Sequence, residues 1–315
     1  MPSQSRFQSI ALTLPLALSP FFALGQQNIP AKPDGDLIMM TVTVKTRSGG
    51  YASGLNRDVF KLTDQKEARP IEFFDNTDSP VSVGILVDTS GSMQMYGLRE
   101  IARPSPIGEA VAQLLQFGNT NNEYFLAAFD KATRFLTEWK NARSLLAEKT
   151  EISQENKQTA MYDSCFAAVE KLSSGHHPKK ALVLISDGED NDSRHTFNEL
   201  RDLLKKSDIM FYAVGIPRLP DVGSSLGMEG AGIMAELAEV TGGECFLPEN
   251  KKEMSVAMNL LATQLRNQYR IGFRANKNDP PNKWRRLTVR ITLPPDAPRE
   301  FGKLKIRTRQ GYYTP

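Results

Sequence analysis

Hydrophobic and polar residues alternate early in the chain, where Met40, Val42 and Val44 interleave with Thr41, Thr43 and Lys45. A Gly-rich turn follows at Ser48 to Gly54, then two short apolar runs ending at Phe74. This period of two predicts antiparallel strands across residues 36–79. Pro80 opens a different regime. The runs Val81 to Val87, Tyr124 to Phe129, Ala181 to Ile185 and Met210 to Ile216 are nearly continuously apolar, as strands of a parallel sheet covered on both faces must be. Between them the apolar spacing is helical: Ile107, Val111, Leu114 and Leu115 share one face, as do Phe166, Val169 and Leu172, and again Phe197, Leu200, Leu203 and Leu204.

Strands alternating with helices predict an α/β fold with a doubly wound, mostly parallel sheet and right-handed crossovers. Ligands of such sheets sit at the carboxyl ends of the strands. After a last helix with Met254, Met258, Leu261 and Leu265 on one stripe, alternation returns at Leu287, Val289 and Ile291 and at Leu304 and Ile306. Neither flank is large enough to bury a core alone. Residues 36–79 and 269–315 are therefore predicted to pair as one smaller β-sandwich into which the α/β domain is inserted. The expected plan is a signal peptide over 1–25, an N-terminal β segment over 26–79, the α/β domain over 80–268 and a C-terminal β segment over 269–315.

The signal peptide rests on composition. Residues 1–25 carry one charge, Arg6, and an apolar run from Ile10 to Leu24 broken by Pro15 and Pro20. That run is too short for a membrane span, and Ala23 and Gly25 suit cleavage before Gln26. The expected location is thus periplasmic or extracellular, with no transmembrane segment in the mature chain. Over all 315 residues, 40% hydrophobic and 24% charged, a disordered or fibrous chain is excluded. Loss of Arg6 takes the formal charge from +3 to +2, so no nucleic acid or other polyanion is expected as partner. Cys165 and Cys245 are the only cysteines. They are either half-buried thiols on different elements or a disulfide that export would preserve, and they are too few for a cysteine-based zinc site.

Chemistry concentrates where the first parallel strand ends. Asp88-Thr89-Ser90-Gly91-Ser92 sets a carboxylate and two hydroxyls at two-residue steps. In a loop after a strand these three side chains can converge, and oxygen donors alone suit a hard cation such as Mg²⁺ or Mn²⁺. The strand Ala181 to Ile185 runs into Ser186-Asp187-Gly188, a second carboxylate at the same edge, and Thr159, just before a helix, offers a third hydroxyl.

This ordered set, Asp88, Ser90, Ser92, Thr159 and Asp187, resembles the metal-ion-dependent adhesion site of von Willebrand factor type A domains over roughly residues 80–248. Flanking segments, Gly54-Leu55 with Asp58-Val59-Phe60, Leu265 to Tyr269, and Arg309 to Tyr313, are similar to the exported bacterial proteins termed VWFA-related, of acidobacterial type. The resemblance implies that Ser90, Ser92 and Thr159 are hydroxyl ligands and that Asp88 and Asp187 act directly or through water. It implies Mg²⁺, or Mn²⁺ or Ca²⁺, with an open position for a Glu or Asp carboxylate from another protein. An adhesion-type module, not an enzyme, is the expectation.

Competing readings are weaker on the residues. A haloacid-dehalogenase-like enzyme would use Asp88 as a nucleophile and needs a second Asp where Ser90 stands. Gly230-Ala231-Gly232 follows no clear strand, which disfavours a nucleotide loop. His176, His177 and His195 lack zinc-ligand partners and are expected at the surface. Glu189, Asp190 and Asp192 read as solvated loop acids. Lys283, Arg285, Arg286 and the basic residues from Lys303 to Arg309 read as the solvated face of an antiparallel sheet. The segment Arg218 to Met234 reads as a mobile connection or an alternative binding surface.

Overall fold

A computed structural model describes residues 37–91, 93, 105–148, 156–216, 225–295, 297 and 301–315. The expected signal peptide, Ser92 and Arg218 to Ser224 lie outside the described residues. The N-terminal flank forms β1 (Leu37–Lys45), β2 (Phe60–Asp64), β3 (Glu67–Arg69) and β4 (Phe73–Asp75). The α/β part runs β5 (Val81–Asp88), α1 (Pro106–Phe117), β6 (Glu123–Phe129), β7 (Thr133–Phe135), β8 (Lys140–Asn141), α2 (Ala142–Ala147), α3 (Met161–Ser173), β9 (Lys179–Ile185), α4 (Phe197–Lys206), β10 (Ile209–Val214), α5 (Ser225–Thr241), β11 (Cys245–Phe246) and α6 (Lys251–Arg266). The C-terminal flank adds β12 (Gln268–Arg274), β13 (Trp284–Ile291), β14 (Lys305–Thr308) and β15 (Gly311–Tyr313).

The central sheet has seven strands in the order β11-β10-β9-β5-β6-β7, with β8 pairing to β6. The inner pairs are parallel, and only β7 and β8 run antiparallel to β6. Because successive side chains point to opposite faces, Val83, Ile85 and Val87 of β5 join the layer under α1 and α6, while Leu86 joins the layer under α3, α4 and α5. Helix starts are set by local chemistry. Ser105 accepts the Gly108 N–H at 3.0 Å ahead of Pro106, and Thr196 and Glu199 form a reciprocal capping box.

The flanks meet as predicted. Sheet β14-β1-β12-β4 and sheet β15-β13-β2-β3 each mix strands from both ends of the chain. Met40, Val42, Phe60, Tyr269, Phe273 and Val289 share one core between them. The fold is thus an α/β domain with a mostly parallel sheet, inserted in a smaller β-sandwich.

Docking of the inserted domain buries polar strand faces, and for some of the basic C-terminal residues it overturns the expectation of a solvated sheet face. The Thr41 and Thr43 face of β1 is buried rather than solvated, because it docks on the inserted domain: Gln264 on α6 donates to the Thr43 hydroxyl at 3.4 Å, and Gln268 donates to the Tyr212 hydroxyl at 2.7 Å. Arg307 and Arg309 likewise face the inserted domain and Arg285 pairs with Asp64 and Asp279, whereas Lys283, Arg286, Lys303 and Lys305 are exposed as expected. Arg307 donates to the Gly243 carbonyl at 3.0 Å, Arg309 to the Lys205 carbonyl at 2.7 Å, and Lys205 sits 5.4 Å from the Trp284 ring. Helix α5 also corrects the reading of Arg218 to Met234 as a connection, since the chain is helical from Ser225.

Cys165 is buried on α3 and Cys245 lies half-buried on β11, both as free thiols. Among the described residues no helix is long and apolar enough to cross a membrane.

At the seam with the sandwich Gly242 has φ +81°, and a Cβ there would stand 2.3 Å from the Thr308 carbonyl carbon. An L side chain is disfavoured at that φ, and rigid backbone blocks the space. Gly242→Ala is expected to cost roughly 2–4 kcal/mol, read as a lower urea midpoint at unchanged m-value.

Candidate metal centre

Strand β5 delivers Asp88 to the carboxyl edge of the sheet, and three loops are stitched together around it. Asp88 is fully buried. One of its oxygens accepts the Ser90 N–H at 2.9 Å and the other accepts the Ser186 hydroxyl at 2.7 Å, which ties the end of β5 to the end of β9. Gly91 N–H reaches the Lys157 carbonyl at 3.4 Å, joining the first loop to the segment before α3. That segment is held to the loop after β9: Asn191 accepts the Thr159 N–H through its side chain at 2.9 Å, and the Asn191 and Asp192 N–H groups bond the Thr159 carbonyl at 2.9 and 3.1 Å. Asp88, Ser90, Thr159 and Asp187 thus share one edge. Ser92 is outside the described residues.

The Thr159 hydroxyl is not used as a helix cap. Helix α3 has Ala160 at its N-cap and no side-chain cap from it. Its first N–H groups are taken instead by the neighbouring loop, Tyr162 N–H by Asp190 at 3.1 Å and Asp163 N–H by the Ser193 hydroxyl at 3.1 Å. Asp190 is therefore a structural clamp rather than a solvated acid. Asp163 in turn receives the Arg194 and His195 N–H groups, which fixes His195, stacked on Phe166 at 3.8 Å, at the surface.

Close backbone approach sets the far wall. Gly188 has φ +82°, and Gly230 in α5 packs so tightly against it that a Cβ on Gly230 would lie 2.5 Å from the Asp187 carbonyl oxygen. The glycines at 230 and 232 thus belong to a helix that starts against the Asp187 loop, which disposes of the nucleotide-loop reading.

A carboxylate missed in the sequence is Asp130, which follows β6 as Asp88 ends β5. It is fully buried. Its side chain takes Arg134 at 2.9 Å and the Asn156 N–H at 3.2 Å, while its carbonyl takes the Ala160 N–H at 2.7 Å. Burial works to raise its pKa, but these bonds prevail and hold Asp130 below the usual carboxylate range. A strand-end acid at the same edge was the available signal.

Asp88 is the opposite case. Burial pushes its pKa up to about 7, and the charge of Asp187 adds to this, against the bonds from Ser90 and Ser186. Among the described residues no lysine, arginine or histidine pairs with it. A buried carboxylate compensated only by hydroxyls and an amide is in deficit of positive charge. Nor does any group of three or more His, Cys, Asp or Glu side chains converge among the described residues, so any ion held here would draw on hydroxyls as well as carboxylates. That donor chemistry fits a hard divalent cation.

The sequence pattern of the von Willebrand factor type A domain matches residues 82–255. The chain belongs to that family. Von Willebrand type A domains serve protein–protein interaction, many with a divalent cation, and an interaction role is the functional class of this chain. No curated protein matches it significantly. Among solved structures, an aerotolerance-related membrane protein from Bacteroides fragilis is similar at 20% identity, with 59% of this chain and 98% of that chain covered and a TM-score of 0.43. A von Willebrand factor type A protein from Catenulispora acidiphila is similar at 11% identity over 87% of this chain and 73% of that one, TM-score 0.44. The ArnB paralog VWA2 from Sulfolobus acidocaldarius is similar at 16% identity over 71% of this chain and 54% of its own length, TM-score 0.44.

Proposed function

We propose that this von Willebrand type A domain carries a metal-ion-dependent adhesion site. Asp88, Ser90, Ser92, Thr159 and Asp187 hold Mg²⁺, with Mn²⁺ and Ca²⁺ as alternatives, and a Glu or Asp of a partner protein completes the shell. The observation that carries this reading is Asp88: a wholly buried carboxylate whose compensating groups are hydroxyls and an amide N–H, beside a second carboxylate. When bound, the cation supplies a Lewis-acidic point with a position left for an external oxygen ligand. The protein's part is positional. Ser186 and the Ser90 N–H fix both Asp88 oxygens, Asn191 sets the height of Thr159, and Gly188 and Gly230 hold the Asp187 loop against α5.

The protein binds rather than catalyses. Ser90 occupies the place where an aspartyl-phosphate enzyme keeps its acid. Residues 1–25 act as an export signal of a VWFA-related protein, delivering the chain to the periplasm or beyond.

Calorimetric titration of the purified chain with Mg²⁺ and Mn²⁺ tests this. Saturable binding is expected in the wild type, weakened at least about tenfold by Asp88→Ala and by Thr159→Ala, and unchanged by substitution of the exposed Asp192. Absence of saturable binding in the wild type overturns the reading.

A further inference from the structure

A groove of about 810 Å³ runs between β13, β14 and the C-terminal end of α5. Its basic lining residues are Arg286, Lys305, Arg307 and Arg309, of which Arg307 and Arg309 lie near Glu244 and Asp208 at 3.8 and 3.7 Å while Arg286 and Lys305 are exposed, and the acid among its lining residues is Glu239. With a formal charge of only +3 on the whole chain, this is a local concentration of positive charge. The Nε of Arg307 is buried without a hydrogen-bond partner among the described residues, a donor left over after the guanidinium has bonded Gly243.

The same groove exposes strand edges. On its outer side β13 pairs with β15 only at Trp284 to Arg286, and Leu287 then gives its N–H to the Gln310 carbonyl at 2.9 Å. By two-residue alternation the N–H and C=O of Val289 point out of that same edge, where no described strand is hydrogen-bonded to β13 beyond β15. Strand β14 is itself terminal in its sheet. An unpaired edge flanked by cations is a template for an added strand.

We infer that this groove is a second binding site, taking an extended acidic segment of a partner protein as an added strand on β13. Backbone amides of the segment meet the open edge at Val289, and carboxylates of the segment meet the exposed Arg286 and Lys305. An anionic glycan or nucleic acid satisfies the charges but not the amide edge. The site is separate from the cation edge. Helix α5 packs against the Asp187 loop at Gly230, and Gly242 just past its end packs against Thr308, a separation of roughly 18 Å at 1.5 Å per residue.

The test uses the full chain and fluorescence anisotropy with a labelled peptide of alternating Glu and Val, in EDTA. Saturable binding is expected there, about tenfold weaker or worse for a peptide of the same charge interrupted by prolines, and lost when Lys replaces Glu. R286E and K305E, both at exposed side chains, are each expected to weaken binding about tenfold at unchanged melting temperature. Equal affinity for the proline-interrupted peptide, displacement by heparin at lower concentration than by the Glu-Val peptide, loss of binding in EDTA, or indifference to both charge reversals would each overturn the inference. Failure of the cation site alone leaves the EDTA binding untouched.

Discussion

Asp88→Asn is expected to raise the melting temperature in EDTA by about 4–8 °C, the equivalent of ~2 kcal/mol for a chain of this size, while abolishing the rise that Mg²⁺ gives the wild type. In the absence of an ion, folding removes the Asp88 carboxylate from water with the Asp187 charge nearby and no basic side chain in pairing contact among the described residues. An amide of the same shape can still accept the Ser90 N–H and donate to Ser186, without that desolvation cost. With Mg²⁺ at a hundred times its dissociation constant the wild type gains about 2.7 kcal/mol, and the variant, lacking the anionic ligand, gains nothing. Differential scanning calorimetry of both proteins with and without Mg²⁺ reads the two effects separately. An Asn variant that melts below the wild type in EDTA would show that Asp88 is well accommodated without an ion, and would remove the case for one there.

The second large effect is a pH dependence centred on Lys179. This residue is 4% exposed, and its ammonium donates to the Leu265 carbonyl at 2.8 Å and the Ser79 carbonyl at 3.2 Å. Burial pushes its pKa down from 10.5 to about 8, with Asp78 and Asp75 opposing and Arg270 assisting. In the folded protein the ammonium therefore loses its proton before the unfolded chain does. Below pH about 8 both states carry the charge and the full penalty applies; between about 8 and 10.5 the unfolded chain holds more protons, so stability rises with pH. At 1.36 kcal/mol per unit, the gain is roughly 3 kcal/mol. Lys179→Met removes it, so the difference between wild-type and variant urea curves should slope through this window and be flat below it. A difference that is flat throughout would place the ammonium in water.

Much of the architecture was legible because periodicity encodes burial directly. Val81 to Val87 is apolar at six of seven positions, Ser82 excepted and Gly84 counted as apolar, and it became the central strand of the parallel sheet. Asp88, Ser90, Thr159 and Asp187 could be assigned to one sheet edge because they stand at strand ends and before a helix in a fixed order. What failed was the meaning of polar residues on strands. Thr43, Gln268, Arg307 and Arg309 look solvated in one dimension, and only the docking of the inserted domain on the sandwich gives them buried partners. Asp130 escaped notice and Asp190 was read as solvated for a related reason: each holds a loop in place through bonds to residues 26 to 30 positions away, and no local spacing announces that.

Strands β4 and β12 are antiparallel neighbours, with Asp75 opposite Arg270, so the chain leaves the sandwich and returns to it at facing positions. In folding terms the sandwich hairpin has a whole domain for its turn. Closing an unstructured loop of that length would carry a conformational entropy cost before any contact formed across it. The inserted domain removes that cost, since its own folding brings Ser79 and Leu265 within reach of one ammonium group. A folded domain in place of a long open loop thus lowers the entropy cost of pairing β4 with β12.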